Sequence, residues 1–237
     1  MVKKYKNVAI IPARGGSKRL PKKNIIDFFG KPLIAYTIEA ALKTDKFARV
    51  MVSTDSPEIA EIAEKYGASV PFLRKEHADD FANVSDVTVH TLRRLKAETG
   101  EEYDTVCMLM PNCPIRNAKD IYRLCTEFEE KDLNFQISAF KYGWMNPWWA
   151  HKLENEGKAT PFFADGLTTR SQDLAELYCP TGAVWLAKTD ALSESKTFYG
   201  EGYHFGILNW KSAVDIDDAE DLEMAKAVYL LEKNSDE

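Results

Sequence analysis

The sequence lacks the features that mark secreted, membrane-spanning and disulfide-linked proteins. Its 237 residues include only four cysteines, and no two of these have the C-x-x-C spacing of a metal or redox site. No apolar run approaches the ~18 residues that a membrane-spanning helix needs. The first six residues carry three lysines without the apolar stretch of an export signal. We therefore expect reduced thiols and a cytoplasmic protein that does not enter a membrane.

An excess of positive charge is also missing. The chain has 31 Lys and Arg against 37 Asp and Glu, a net charge of −6 at pH 7. Proteins that bind along a nucleic-acid backbone are usually basic overall, so we expect no nucleic-acid partner. The length suffices to bury one α/β core, and no internal repeat or low-complexity tract divides it. We predict a single domain over residues 1–237.

Short apolar runs alternate with amphipathic segments along most of the chain. This alternation predicts an α/β fold with a mostly parallel, twisted sheet and helices on both of its faces. Ser56 followed by Pro57 is a typical helix start. The predicted strands are Val8–Pro12, Val50–Ser53, Ser69–Leu73, Thr105–Met110, Phe135–Phe140, Ala183–Ala187 and Ala213–Ile216. The predicted helices are Leu33–Leu42, Glu58–Tyr66, Val84–Ala97, Ile121–Glu130 and Ala219–Glu232.

The alternation stops between Lys141 and Pro180. This stretch has turn residues and no helical period, which favours a β-hairpin-like excursion over residues 141–180. Aromatic residues that cannot all fold beneath a small excursion are candidates for a partner surface, although they could also form a satellite core cluster. The aromatic residues concerned are Trp144, Trp148, Trp149, Phe162 and Phe163.

The first predicted strand runs directly into a basic loop of small residues. Uncovered backbone N–H groups and cationic side chains are what phosphate groups bind. The loop has neither the spacing of a Walker A motif nor that of G-x-G-x-x-G. A solvated basic turn is the alternative, but ligands of open α/β sheets bind beyond the carboxyl ends of the strands. The phosphate candidates in this loop are Arg14, Gly15, Ser17, Lys18, Lys23 and Asn24.

A pair of aspartates, Asp215 and Asp217, precedes the last predicted helix. On a strand, residues two apart project from one face, so both carboxylates could bind one cation. Mg²⁺ is commonly held by one or two carboxylates together with substrate phosphates. Alternatively, Asp217 or Asp218 caps the helix that follows, whose first turn is acidic. We expect a Mg²⁺ site here, with Mn²⁺ as an acceptable substitute.

Four sequence motifs occur in the order typical of one known family. A-R-G-G-S-K-R-L-P-K-K-N at 13–24 is followed by G-K-P-L-I at 30–34, S-T-D at 53–55 and V-D-I-D at 214–217. Together they resemble the acylneuraminate cytidylyltransferases, over nearly the whole chain. The resemblance implies a Rossmann-like nucleotidyltransferase fold, and transfer of CMP from CTP to the anomeric hydroxyl of a nine-carbon 2-keto sugar acid with release of pyrophosphate. It also implies cell-surface glycan synthesis and a homodimer formed through the β-rich excursion over residues 141–180.

The resemblance also suggests roles for individual residues in CTP binding. Arg14 and Lys18 match the family's phosphate-binding positions, and Lys23 matches a lysine assigned to phosphate stabilisation during transfer. Arg74 matches an arginine near the cytosine, although it could instead pair with Glu76 at the surface. Catalysis is thus expected of Arg14, Lys23 and Asp217. The remaining CTP candidates are Gly15, Ser17 and Asn24 in the first loop, and Asp80, Asn83 and Ser85 near the third helix.

Two further positions have alternative interpretations. Asn83 could simply cap the helix beginning at Val84. Asp55, after Ser53 and Thr54, could help seat the metal or start the next helix.

The sugar-acid side of the sequence matches the family less closely. Arg170-Ser171-Gln172-Asp173-Leu174 resembles the family's sugar-binding R-x-Q-D-L, so Arg170 and Gln172 are expected to contact the acid. Residues 110–116, M-P-N-C-P-I-R, stand where sialic-acid enzymes tend to have Q-P-T-S-P-L-R. Sialic, legionaminic and pseudaminic acids therefore all stay open as acceptors. A 3-deoxy-octulosonate cytidylyltransferase and a non-catalytic nucleotide sensor are the alternative functions.

Overall fold

The computed structural model describes residues 6–76 and 83–235, and these ranges contain ten strands and six α-helices. Strands β1 to β10 are, in order, Asn7–Pro12, Asp27–Phe28, Lys31–Pro32, Arg49–Ser53, Thr105–Met108, Phe135–Lys141, His151–Leu153, Ala159–Pro161, Tyr178–Lys188 and His204–Ile207. Helices α1 to α6 are Leu33–Leu42, Pro57–Lys65, Val84–Thr99, Ala118–Glu130, Thr189–Ser195 and Ala219–Ser235.

Six of the strands form the central sheet, in the order β10-β6-β9-β5-β1-β4. Strand β1 pairs in parallel with β4 and β5, and β10 pairs in parallel with β6. Strand β9 lies antiparallel between β5 and β6. The predicted mostly parallel sheet is therefore confirmed, with one reversed strand. The carboxyl ends of β1, β4 and β5 meet at one edge, where ligands of such sheets bind.

Helices cover both faces of this sheet, as predicted. Successive strand residues point to opposite faces, so Ala9 and Ile11 of β1 join one buried cluster and Val8 and Ile10 join the other. The first cluster also contains residues of α1, α2 and α4, and the second contains residues of α3 and α5. Within the described ranges, no helix combines the length and apolar character needed to cross a bilayer.

The five predicted helices are all present, and their ends follow local capping. The Ser56 side chain accepts a hydrogen bond from the Ile59 N–H, which confirms the predicted start of α2. Helix α4 begins at Ala118, ahead of the predicted Ile121, because Asn117 and Asp120 form a capping box there. The prediction overlooked α5, a helix of seven residues.

The predicted strand Ser69–Leu73 is wrong. Only Ser69 pairs with the sheet, where its N–H donates to the Val50 carbonyl and its carbonyl accepts from the Val52 N–H. Pro71, two residues later, has no N–H for the next ladder position, so the pairing ends. The prediction counted apolar residues and ignored the missing donor.

The predicted strand Ala213–Ile216 is also wrong. Its backbone is used in turns and a loop contact instead, because the Ala213 N–H donates to the Trp210 carbonyl and the Ile216 N–H donates to the Asn112 carbonyl. Its apolar side chains are buried against α6 rather than in the sheet. The remaining edge strand is β10, which the prediction missed because it is short and contains Gly206.

Residues 142–177 leave the sheet between β6 and β9, where Lys141 pairs with Tyr178. Strands β7 and β8 form an antiparallel hairpin within this segment, which confirms the hairpin-like excursion. Trp148 packs inside it, edge-on to Phe163 at 5.2 Å between ring centroids, and its indole N–H donates to the Ala175 carbonyl. We call residues 142–177 the arm.

A buried arginine joins the loop after β5 to two other elements. The side chain of Arg116 donates to the Ala183 carbonyl of β9 at 2.6 Å and to the Thr37 hydroxyl of α1 at 2.7 Å. The residue is only 1% exposed. Its hydrogen bonds satisfy acceptors that water cannot reach, so its removal would leave them unpaired.

We expect Arg116→Ala to lower the free energy of unfolding by about 3–5 kcal/mol, because it creates a cavity and strands two buried acceptors. Urea denaturation followed by circular dichroism measures this change. Arg93→Ala, at an exposed position of α3, is the matched control and should change stability by less than about 0.5 kcal/mol. Equal stabilities of the two variants would show that Arg116 does not hold these elements together.

Candidate functional site

The basic loop after β1 begins as an extension of the sheet. The Ala13 N–H donates to the Ser53 carbonyl at the end of β4. The chain then turns away at Gly15, where a Cβ atom would lie 3.1 Å from Ser56 Cβ. The lack of a side chain at Gly15 thus allows the loop to approach the start of α2 closely. Among the residues that the structure describes, no heavy atom other than those of its chain neighbours comes within 4 Å of a Cβ built on Gly16, so these residues leave the loop open there.

One peptide unit of this loop is held by side chains from both directions. Asn24 donates from Nδ2 to the Arg14 carbonyl at 2.9 Å. The Gly15 N–H donates to Asp55 Oδ1 at 2.8 Å. Asn24 is buried, and its Oδ1 atom has no hydrogen-bond partner among residues 6–76 and 83–235. Asn24, which was predicted to lie near the nucleotide, therefore holds the loop backbone from the buried side.

The basic loop and the acidic segment before α6 meet at an ion pair. Lys23 Nζ lies 2.8 Å from Asp217 Oδ1, and Arg19 Nη2 lies 2.6 Å from Asp217 Oδ2. Partial burial acts to raise the pKa of the Asp217 carboxyl, but hydrogen bonds and charges from Lys23 and Arg19 outweigh it, so the pKa lies below its ordinary value. Two predicted catalytic residues, 194 positions apart, are thus in direct contact.

Asp215 lies beside this pair with a different electrostatic environment. Loss of surrounding water raises the pKa of its carboxyl, and repulsion from Asp217 and Asp221 adds to that effect, while Lys23 opposes it. Part of Asp215 is still accessible at the surface, so the surrounding protein reduces its contact with water without removing it. The repulsion between the carboxylates is therefore what a bound cation would relieve.

The two aspartates do not lie on a strand, so the predicted reason for their proximity is wrong. Asn112, in the loop after β5, holds the segment instead. Its Nδ2 donates to the Ile216 carbonyl at 2.9 Å and lies 3.5 Å from Asp217 Oδ1. Its backbone carbonyl accepts the Ile216 N–H. The sequence showed Asn112 only as a departure from the sialic-acid pattern and gave no signal for this contact.

The capping alternative for the acidic segment applies to a neighbouring residue. Asp218 Oδ1 accepts the backbone N–H groups of Glu220 and Asp221 at the start of α6. Asp217 makes no such contact with its side chain, which points to Lys23 and Arg19. Among residues 6–76 and 83–235, no group of three or more His, Cys, Asp or Glu side chains is arranged to hold a metal ion.

The other residues predicted to bind CTP, outside the first loop, lie in different environments. Arg74 is 4% exposed and donates to the Ser53 carbonyl at 3.2 Å, so it is not a surface partner of Glu76. Asn83 accepts the Asp86 N–H at the start of α3, as the capping alternative states. The Ser85 hydroxyl accepts the Phe198 N–H in the interior. Asp80 lies outside the described residues.

The remaining predicted residues are not all brought together within the chain. Ser17 is half-buried in the open loop and Lys18 is exposed beside it. In the arm, Arg170 donates from Nε to Asp173 at 2.7 Å, and Gln172 lies in the exposed turn formed by Ser171–Asp173. In the part of the chain that the structure describes, the contacts of Arg170 are thus local to the arm.

Comparison with known proteins assigns this chain to a family. Residues 8–146 match the family described as Cytidylyltransferase. A pseudaminic acid cytidylyltransferase of Campylobacter jejuni is 38% identical over 97% of this chain and 99% of its own. A CMP-N,N'-diacetyllegionaminic acid synthase of Legionella pneumophila is 34% identical over 97% of each chain. An N-acylneuraminate cytidylyltransferase of Escherichia coli is 31% identical over 93% of this chain and 51% of its own.

Solved structures share the fold. A CMP:2-keto-3-deoxy-manno-octonic acid synthetase, solved in complex with CTP, superposes with a TM-score of 0.69 at 20% identity, covering 96% of this chain and 99% of its own. A 4-diphosphocytidyl-2C-methyl-D-erythritol synthase of Anaerococcus prevotii gives a TM-score of 0.63 at 14% identity, covering 97% and 100%. The resemblance seen in the sequence motifs is confirmed, and the chain belongs to the cytidylyltransferase family.

Proposed function

We propose that this enzyme transfers CMP from CTP to the anomeric hydroxyl of a nonulosonic acid and releases pyrophosphate. The observation that carries the proposal is the Lys23–Asp217 contact, because it joins a phosphate-type loop to a carboxylate pair at the ligand edge of the sheet. The reaction forms a bond from the sugar oxygen to the α-phosphorus and breaks the bond from that phosphorus to the bridging oxygen of the β-phosphate. The hydroxyl proton is released to solvent.

The charged groups act together on the nucleotide in this proposal, each through its own contact. Arg14, Ser17 and Lys18 bind the triphosphate, with the backbone N–H groups around Gly16 as further donors. Lys23 stabilises the charge that accumulates as pyrophosphate leaves. The phosphate oxygens compete with Asp217 for the Lys23 ammonium, so the ion pair keeps this cation at the site before the nucleotide arrives.

The acidic segment fits a magnesium ion. Two carboxylates that repel each other, together with phosphate oxygens from the nucleotide, are a typical Mg²⁺ ligand set, and Mn²⁺ has the same preference for oxygen. We propose that Asp215 and Asp217 hold such an ion. When bound, the ion neutralises phosphate charge during transfer. Asn112 orients Asp217 for this task through its contacts with the Ile216–Asp217 segment.

We propose pseudaminic acid as the acceptor. Two relatives of this activity, both from Campylobacter jejuni, are 38% and 36% identical over 97% of this chain. The residues Met110 and Cys113 also replace the glutamine and serine of the sialic-acid pattern. Arg170 would bind the acid's carboxylate through its planar guanidinium.

The acceptor assignment is tested with CTP, Mg²⁺ and a panel of pseudaminic, legionaminic, sialic and 3-deoxy-octulosonic acids. Pyrophosphate release and the mass of the CMP-linked product are measured for each acid. We expect the highest kcat/KM with pseudaminic acid. Transfer to 3-deoxy-octulosonic acid alone would favour the octulosonate activity, and CTP binding without pyrophosphate release would favour a nucleotide sensor.

The arm supports a homodimer, which we also propose. It exposes large apolar side chains that a monomer would leave in water, among them Trp144 (82% exposed), Leu153 (74%) and Phe162 (67%). A second copy of the chain would cover them and bring the arm of one protomer to the site of the other. Arg170 could then reach an acceptor although its contacts in one protomer are local.

We expect Asp217→Asn to lower kcat by at least ~10²-fold, since it removes a stabiliser of transition-state charge. The free energy of unfolding should change by no more than about 1 kcal/mol, because Asp217 is partly exposed. Steady-state kinetics and urea denaturation separate the two effects. Asp218→Asn is the matched control, since it removes an adjacent charge but keeps the oxygen that caps α6. Similar kcat values for both variants would contradict a special role of Asp217.

Lys23→Gln should lower kcat more than it raises the KM for CTP, because the proposed contact strengthens as pyrophosphate departs. Its neighbour gives a matched control, since Lys22 pairs with Glu58 on the outer surface at 2.8 Å. Lys22→Gln should keep both constants close to those of the wild type. An unchanged kcat in Lys23→Gln would show that the ion pair of Lys23 with Asp217 has a structural role only.

Replacing Trp144 and Phe162 together by alanine should weaken the dimer, since both rings are open to solvent in one protomer. Sedimentation equilibrium at micromolar concentration measures the shift toward monomer. Trp210→Ala is the control, because Trp210 is also exposed (49%) but lies outside the arm. A wild-type monomer at this concentration would refute the proposed dimer.

A further inference from the structure

The Arg14–Gly15 peptide has a hydrogen bond at each end. Its carbonyl accepts from Asn24 Nδ2 at 2.9 Å, and its N–H donates to Asp55 Oδ1 at 2.8 Å. The two partners lie 10 and 40 positions away along the chain, in separate segments. This peptide plane is therefore fixed by tertiary contacts rather than by a regular element, immediately before the open residue Gly16.

Asp55 is well placed to fix the loop because it stands on rigid structure. It lies two residues after the end of β4 and immediately precedes Ser56, which caps α2. The loop approaches this point closely, since a Cβ on Gly15 would lie 3.1 Å from Ser56 Cβ and 3.9 Å from Asp55 Oδ1. The Asp55 carboxylate thus accepts the Gly15 N–H close to the edge of the sheet.

The charge of Asp55 also acts on the buried Arg74. Burial lowers the pKa of Arg74, the Asp55 carboxylate acts to raise it, and the charge of Arg14 lowers it further. The Asp55 charge therefore offsets part of the repulsion that Arg14 exerts on Arg74. Without Asp55, the repulsion between the positive charges of Arg14 and Arg74 would lack this compensation.

We propose that Asp55 is a positioning residue of the nucleotide site, which fixes the Arg14–Gly15 peptide so that the loop is organised for the triphosphate before CTP binds. The inference rests on the proposed function for its ligand. It differs from the helix-start expectation for Asp55, because Ser56 and not Asp55 caps α2. A loop ordered in advance loses less conformational entropy on binding, so the benefit appears in CTP affinity.

The variants Asp55→Ala and Asp55→Asn separate the hydrogen bond from the charge. Both remove the negative charge beside Arg74 and Arg14, but the amide oxygen of asparagine can still accept the Gly15 N–H. We expect Asp55→Ala to weaken CTP binding roughly 10- to 100-fold, as for loss of a hydrogen bond to a charged group. A neutral acceptor keeps about half of that interaction, so Asp55→Asn should lose only about 3- to 10-fold. Titration calorimetry with CTP and Mg²⁺ measures both.

Two further measurements distinguish positioning from general loss of structure. The KM for the sugar acid should stay within about twofold of wild type in both variants, whereas a distorted fold would change it as well. Amide hydrogen exchange of residues 13–18, measured without ligand, should be faster in Asp55→Ala than in Asp55→Asn. If Asp55→Ala does not fold, Asn24→Leu releases the other end of the peptide and should give the same CTP-selective loss.

Equal CTP affinity and equal exchange rates in Asp55→Ala and Asp55→Asn would overturn the inference. A wild-type protein that does not bind CTP would instead contradict the proposed function. In that case the exchange rates of the loop still decide whether Asp55 positions it. The two failures are therefore distinguishable.

Discussion

The charge balance around Asp217 is the constraint on which the site depends. Two cationic side chains from the loop after β1 converge on one carboxylate from the segment before α6. Because Lys23 is only 15% exposed, its ammonium is partly withdrawn from water and benefits from a partner. The contact brings together residues from opposite ends of the chain without joining them in a strand pair.

The sheet explains why this meeting is possible. Parallel strands β1, β4 and β5 end at the same edge, so the loops that follow them converge there. Each of these loops contributes one support: the basic residues after β1, Asp55 after β4 and Asn112 after β5. The buried Arg116 then ties the third loop to α1 and β9. The site is therefore supported by hydrogen bonds that run from the core outward.

Much of the fold could be predicted from the sequence because its signals are local. The period of Leu33–Leu42 and the Ser56–Pro57 start depend on neighbouring residues alone. The strand predicted at Ala213–Ile216 was wrong because apolar residues indicate burial but not the backbone hydrogen-bond partner. Here that partner is Asn112, which lies in a loop. The strand predicted at Ser69–Leu73 was wrong because Pro71 has no N–H to continue the pairing. This signal is visible in the sequence itself.

The site shows the same division. Lys23 and Asp217 could be named because their residue types and motifs point to phosphate and metal chemistry. Their direct contact could not be predicted, since it depends on how the chain folds over 194 positions. Asn112 and Arg116 act through long-range hydrogen bonds, and no local pattern marks such a partner. Asn83, in contrast, has the capping role that its place before a helix already suggested.

The central claim is that Lys23 and Asp217 act as one catalytic unit rather than as a stabilising surface pair. A double-mutant cycle of Lys23→Gln and Asp217→Asn, measured in kcat/KM for CTP, tests it most directly. The account predicts strong non-additivity, with the double variant only slightly less active than the poorer single variant. Losses that multiply in the double variant would show that the two residues act independently and would contradict the account.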